Sequence, residues 1–182
     1  MIDDLIQDAT RRMDKSVEST HSELNTIRTG RASAALLDRV NVDYYGQKTP
    51  LKQLATINVP EPRMLTVQPF DPNVVKEIER AIQESDLGLN PSNDGKLIRL
   101  PIPQLTEERR AELVKVARQI AEEGRVAVRN IRRDVIHHLK EEQSVGAGDE
   151  RRAEERVQKL TDDHVQSIDD LLKRKEAEIT EV

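Results

Sequence analysis

The chain has 182 residues, of which 35% are charged and 2% aromatic, with no cysteine and a formal charge of −5. Lack of cysteine excludes disulfides, thiolate chemistry and cysteine-ligated zinc, and so few rings argue against an RRM- or OB-type reader of single strands. The Met-Ile-Asp-Asp start has no basic or apolar leader pattern, and no apolar run reaches about 18 residues, so a cytoplasmic protein without signal peptide or membrane span is expected.

The first predicted element is a helix from Asp3 to Arg28. Ile2, Ile6, Ala9, Met13, Val17, Leu24 and Ile27 keep a helical spacing, Asp3 and Asp4 suit its N-terminal dipole, and Gly30 stands where a C′ glycine would stop it. The pattern then changes, and all eight prolines lie between Pro50 and Pro103. Val40, Val42 and Tyr44 alternate as in a strand, and Tyr45-Gly46-Gln47-Lys48 reads as a turn. Leu54–Val59 and Met64–Pro69 read as further strands. Pro72 opens a short amphipathic helix with Val74, Val75, Ile78, Ala81 and Ile82 on its apolar side, and Leu97–Leu100 reads as a last strand.

The helical period resumes at Thr106, a good N-cap with Glu107 and Glu108 in the first turn. This helix is expected to run to about Glu142, ~54 Å at 1.5 Å per residue. Ser144–Gly148 reads as a turn before a third long helix with Ala153, Val157, Leu160, His164, Ile168, Leu171 and Ile179 inward. The expected fold class is α+β: a long antiparallel three-helix bundle, residues 1–30 and 106–182, with a small β-rich α/β domain, residues 31–105, inserted between its first and second helices.

Between Arg109 and Arg133 lie eight basic and three acidic residues, a local +5 in an acidic chain. Arg118, Arg125, Arg129 and Arg132 step by 7, 4 and 3 and share one helix face, with Arg133 beside it. Leu113, Val116, Ala117, Ile120, Ala127, Val128, Ile131 and Val135 form a second, apolar stripe. A row of guanidinium forks suits phosphate and points to a nucleic-acid surface. The competing reading is a solvated face stitched by ion pairs, for instance Arg118 with Glu122. Charge alone does not decide between them.

Other motifs fail on their own chemistry. Gly88–Lys96 resembles a phosphate loop but has six residues between its glycines, and Leu97 stands where Ser or Thr should bind magnesium. As a calcium loop it would need Glu where Pro101 stands, so it reads as a helix-to-strand connection. His137 and His138 diverge on a helix, and His21 and His164 read as seam or surface residues. There is no catalytic constellation, and no metal or cofactor is expected. Thr29, Gly30 and Arg31, with Gln104, Leu105 and Thr106, flank the two chain crossings between the domains and are the expected hinge.

Ile27-Arg-Thr-Gly-Arg-Ala-Ser33, Asp86-Leu-Gly-Leu-Asn-Pro91, Leu105-Thr-Glu-Glu-Arg-Arg110, Val126-Ala-Val-Arg-Asn-Ile-Arg-Arg-Asp134 and Val157-Gln-Lys-Leu-Thr-Asp162 span the chain in order. In these segments it strongly resembles the ribosome recycling factors. The resemblance implies an L-shaped two-domain protein that breaks no covalent bond. It would enter the ribosome between the subunits, lay its bundle on large-subunit rRNA, and separate the subunits when elongation factor G acts with GTP. The insert would turn about the crossings to meet that factor and the small subunit. The candidate rRNA-binding residues are Arg28, Arg31, Arg110, Arg118, Arg125, Arg129, Arg132 and Arg133, and the chain is expected to be a monomer. A coiled-coil adaptor or chaperone-like module is the alternative, and it leaves the arginine stripe unexplained. A small enzyme with its site in the insert is the weakest reading, for want of an acid–base cluster or cofactor loop.

Overall fold

The computed structural model describes residues 1–181. In chain order its elements are α1 (Ile2–Leu24), β1 (Asn41–Tyr44), β2 (Gln47–Pro50), β3 (Ala55–Glu61), β4 (Met64–Pro69), α2 (Val75–Glu84), β5 (Ser92–Asn93), β6 (Ile98–Pro101), α3 (Glu107–Glu141) and α4 (Ala147–Thr180). They fall into two units, one of Met1–Arg28 with Glu107–Val182 and one of Thr29–Thr106. The fold class is α+β, a helical bundle with a small antiparallel sheet domain.

In the helical unit each helix buries one narrow seam. On α3 the seam is Leu113, Ala117, Ala121, Gly124, Val128, Ile131, Val135 and Leu139, spaced by threes and fours. Side-chain pairs fix the directions. Arg12 meets Asp134 and Thr20 packs at Gly124, so α1 runs against α3. Arg118 meets Glu176 and Arg125 meets Asp169, so α3 runs against α4. Arg156 meets Asp3 and His164 meets Asp14, so α1 and α4 are parallel.

Several boundaries differ from expectation. α1 ends at Leu24 rather than Arg28. The Thr26 hydroxyl donates to the Glu23 carbonyl at 2.6 Å and the Thr26 amide to the same oxygen, drawing the chain into a turn. Ile27 stays buried outside the helix, and Gly30 is not its C′ residue. α4 starts at Ala147, capped by Gly146, so Gly148 belongs to its first turn. On α3, Val116 is exposed and Ile120 and Ala127 are half-buried, while Ala121, Gly124 and Leu139 fill the seam.

On α4, Leu160, His164 and Leu171 are half-buried, and Thr161 and Lys175 take inner places. Both polar residues are satisfied there. The Thr161 hydroxyl donates to the Val157 carbonyl at 2.7 Å, and the Lys175 ammonium reaches Glu178 at 2.8 Å while its stem is covered.

In the second unit β1 and β2 form a hairpin, and β3, β4, β6 and β5 form an antiparallel sheet in that order. Pro60 is tolerated in β3 because β3 is an edge strand. The Asp71 carboxylate accepts from the Asn73 amide, and the helical turn at Pro72 continues into α2. Ile78 and Ile82 of α2 are fully buried with Val42, Leu65, Val67, Ile98 and Leu100. The hairpin turn is only Tyr45-Gly46, both at positive φ, because Tyr44 pairs with Gln47. That frees Gln47 and Lys48 to begin β2, a strand too polar to show a period. β5, two residues long, is below the reach of any pattern.

Gly124 is the tightest point of the bundle. A Cβ there would lie 2.2 Å from the Thr20 hydroxyl oxygen and 3.2 Å from Ile168 Cδ1. Thr20 cannot turn away freely, because it is buried and its hydroxyl is bonded to the Ser16 carbonyl at 2.8 Å. Gly124→Ala should therefore destabilise the bundle by about 1–3 kcal/mol despite alanine's better helix propensity. Adding Thr20→Ala should restore most of that loss in urea unfolding.

Candidate nucleic-acid interface

The eight candidate arginines divide by what already holds them. Arg125 is the most committed. Its side chain is 17% exposed, its Nε donates to Asp169 at 2.7 Å and its Nη1 to Glu122 at 3.0 Å. Burial works against its charge, but the two carboxylates more than offset this and hold its pKa above the ordinary arginine value. Arg118 donates to Glu176 at 2.8 Å. Arg129 shares Glu122 at a looser 3.6 Å.

Toward the C-terminal part of α3 the partners become neutral. Arg132 donates to the Gln158 side-chain oxygen at 3.1 Å and Arg133 to that of Asn130 at 3.3 Å. Neither has a carboxylate partner among the described residues, so both keep their charge for an outside anion. Arg110 is half-buried, and its Nε is shielded from water with no hydrogen-bond acceptor. Arg28 and Arg31 are exposed beyond the end of α1.

The Arg118–Glu122 pair offered by the competing reading does not form; Glu122 serves Arg125 and Arg129. α4 supplies the acid of Arg118, Glu176, and the second acid of Arg125, Asp169. The stripe is thus partly a clamp between helices and partly an open cationic surface. The clamp depends on a register between distant segments that a one-dimensional pattern does not carry.

The crossings have a defined anchor. The Ala32 amide donates to the Pro62 carbonyl at 2.7 Å and the Ile102 amide to the Arg63 carbonyl at 2.8 Å. Both strands of chain are thus pinned to one turn between β3 and β4. Gly30 has φ +76°, and a Cβ there would come within 3.1 Å of Leu105 Cγ. Gly30 and Leu105 therefore touch, and only glycine fits this close approach without strain. Thr29 and Leu105 are half-buried, and Arg31, Gln104 and Thr106 are exposed. The Pro62-Arg63 anchor has no reading in the sequence analysis; in the structure it follows a break in β3–β4 pairing between Asn58 and Glu61.

The phosphate-loop lookalike is closed by its own side chains. Asp94 accepts from the amides of Leu97 at 2.8 Å and Lys96 at 3.0 Å, and these bonds hold its carboxyl below the usual range. The Asn93 side chain accepts from the Gly95 amide, so three of the amides that might cradle a phosphate are taken. His137 and His138 pair with Glu141 and Asp134 of their own helix. No group of three metal-ligating side chains forms among the described residues, and no described helix is long and apolar enough to cross a membrane.

One electrostatic link reports on the bundle directly. Asp134 is held below the usual carboxylate range, first by its hydrogen bond from Arg12 and then by the charges around it. A lowered folded pKa means that the stabilisation is present above the unfolded value near 3.9 and lost as pH falls through the folded value. Arg12→Ala should therefore lower the urea midpoint at neutral pH, and the difference from the parent should shrink at about pH 2.5. A pH-independent difference would mean that the arginine acts through packing alone.

The profile of a family described as Ribosome recycling factor matches residues 20–180. A ribosome-recycling factor of Rubrobacter xylanophilus is 57% identical over 180 residues, covering 97% of each chain. One from Geobacillus thermodenitrificans is 55% identical over 185 residues and covers both chains fully. The fold is similar to a solution structure of a ribosome recycling factor, with TM-score 0.75, 45% identity and coverage of 100% of this chain and 98% of that one. It is also similar, at TM-score 0.63 and 47% identity over 98% of each chain, to a Thermus thermophilus ribosome recycling factor. That structure comes from models of the factor and Escherichia coli elongation factor G bound to the E. coli post-termination complex.

Proposed function

Because the chain belongs to the ribosome recycling factor family, we propose that it binds the post-termination ribosome through its bundle and, with elongation factor G and GTP, promotes separation of the subunits. Release of mRNA and tRNA for a new round of translation follows from that separation. Members of this family are non-catalytic translation factors. A ribosomal partner supports a cytoplasmic place of work.

The observation that carries the reading is the division of the arginines. Arg132 and Arg133 sit on a 35-residue helix, about 52 Å long, and hold only neutral side-chain partners. A phosphate can displace Gln158 or Asn130, because it meets the guanidinium with a full negative charge and can accept two parallel N–H bonds, whereas each amide oxygen is neutral and accepts one. Arg129, with its shared acid, extends the surface, Arg110 adds its charge at the start of α3, and Arg28 and Arg31 add charge beyond α1. A rigid rod with fixed guanidinium spacing reads the backbone and shape of folded RNA rather than its bases. Arg118 and Arg125 act mainly between helices in this account. The insert, leaving through two crossings pinned at Pro62-Arg63, is the part that turns to meet elongation factor G and the small subunit.

Two substitutions separate the roles. Arg132→Ala should weaken large-subunit binding roughly tenfold at low salt and flatten its salt dependence by about one phosphate contact, with unfolding unchanged. Arg125→Ala should cost about 1–3 kcal/mol of bundle stability and leave the salt slope as it is. Unchanged affinity and slope in an Arg132→Ala/Arg133→Ala double variant would remove the RNA surface.

A further inference from the structure

Of the three aromatic residues of the chain, Tyr44 and Tyr45 lie at the end of the β1–β2 hairpin, and Phe70 precedes Asp71, the residue that Tyr45 hydrogen-bonds. Tyr44 and Tyr45 meet edge to face with ring centroids 4.6 Å apart. The Tyr45 hydroxyl donates to Asp71 at 3.2 Å, which brings its ring beside the residue that follows Phe70. Tyr45 is 72% exposed and Phe70 66%, so neither is there to fill a core.

The backbone makes the placement more telling. Tyr45 has φ +48°, the sole positive φ outside glycine among the described residues. It holds the first position of a two-residue turn in which Asn, Asp or Gly fits without penalty. A bulky ring there is strained. Turn chemistry does not select tyrosine here and burial does not reward it. What remains is an exposed ring held in one orientation by Asp71. Asp71 is itself fixed, because its other oxygen accepts from the Asn73 amide at 2.9 Å.

The geometry points to a docking surface in which the exposed rings of Tyr45 and Phe70, with the Asp71 carboxylate bonded to Tyr45, receive an arginine- or lysine-bearing segment of a protein partner. It rests on the reading that the insert is the part that meets other factors. Exposed ring faces attract cations, and a neighbouring carboxylate strengthens the pull. The same carboxylate repels a phosphate backbone, which sets this surface apart from the arginines of α3. Aromatic anchors of this kind supply a large share of protein–protein affinity.

The test uses the full chain, purified post-termination ribosomes, elongation factor G and GTP. Tyr45→Asn should melt no lower than the parent, since Asn-Gly suits the turn, yet split subunits about fivefold more slowly or worse. Phe70→Leu, which keeps apolar area and loses the ring face, should be similarly slow, and Phe70→Trp should restore splitting. Large-subunit affinity and its salt slope should stay within about twofold in all three. Replacing Phe70 with benzoylphenylalanine should give, on illumination, an adduct in a protein segment carrying Arg or Lys.

Splitting at the parent rate by the Tyr45→Asn/Phe70→Leu double variant would overturn the proposal. So would an adduct in rRNA or in a second copy of the chain, or no adduct in complexes that form normally. A parent chain that neither binds nor splits would overturn the recycling reading itself, and this surface with it.

Discussion

The helical unit depends on the close approach of α1 and α3 at Gly124. With no Cβ at that position, Thr20 and Ile168 pack against the α3 backbone, and Ala117 and Ala121 keep the preceding turns of the seam narrow. Close-packed interiors tolerate little sliding, so this contact fixes the register along the rod. The register decides which charges meet. It sets Arg125 against Asp169, Arg118 against Glu176 and Arg132 against the neutral Gln158, while Arg133 keeps only Asn130 of its own helix. A steric fact at a glycine thereby becomes an electrostatic pattern on the surface.

What was legible in the sequence follows from how local each cause is. The start of α3 at Thr106-Glu107, the helical opening at Pro72 and the alternation of β1 each rest on a few neighbouring residues, and the structure shows them where they read. The end of α1 was misread because Ile27 keeps the apolar period although the chain has already turned, with Thr26 bonded to the Glu23 carbonyl. Gly30 does have the positive φ its type suggests, but at an approach to Leu105 rather than at a helix stop.

The arginine stripe was readable as charge and spacing. Its division into clamp and open surface was not, because Asp169 and Glu176 lie far along the chain and enter only through packing. Gly124 and Thr20 break the apolar pattern, so a search for periodicity passes over the residues that set the helix spacing. The insert's aromatics were visible as a local concentration, while the strained tyrosine at its turn needed the backbone.

The two units divide the proposed work. The bundle supplies fixed charge on a rod, and the insert supplies a separate fold, tethered where both crossings meet the Pro62-Arg63 turn. Each has its own apolar cluster, one around Met13, Ala121 and Ile168 and the other around Leu65, Ile78 and Leu100. Binding and subunit separation should then be separable by cutting one unit away. The most direct measurement replaces residues 32–104 with a short Gly/Ser linker and follows large-subunit binding against salt alongside splitting with elongation factor G and GTP. The account predicts a helical, cooperatively unfolding protein that binds with the parent's salt slope and does not split. Full splitting activity in that protein, or loss of binding while the helices remain intact, would contradict it.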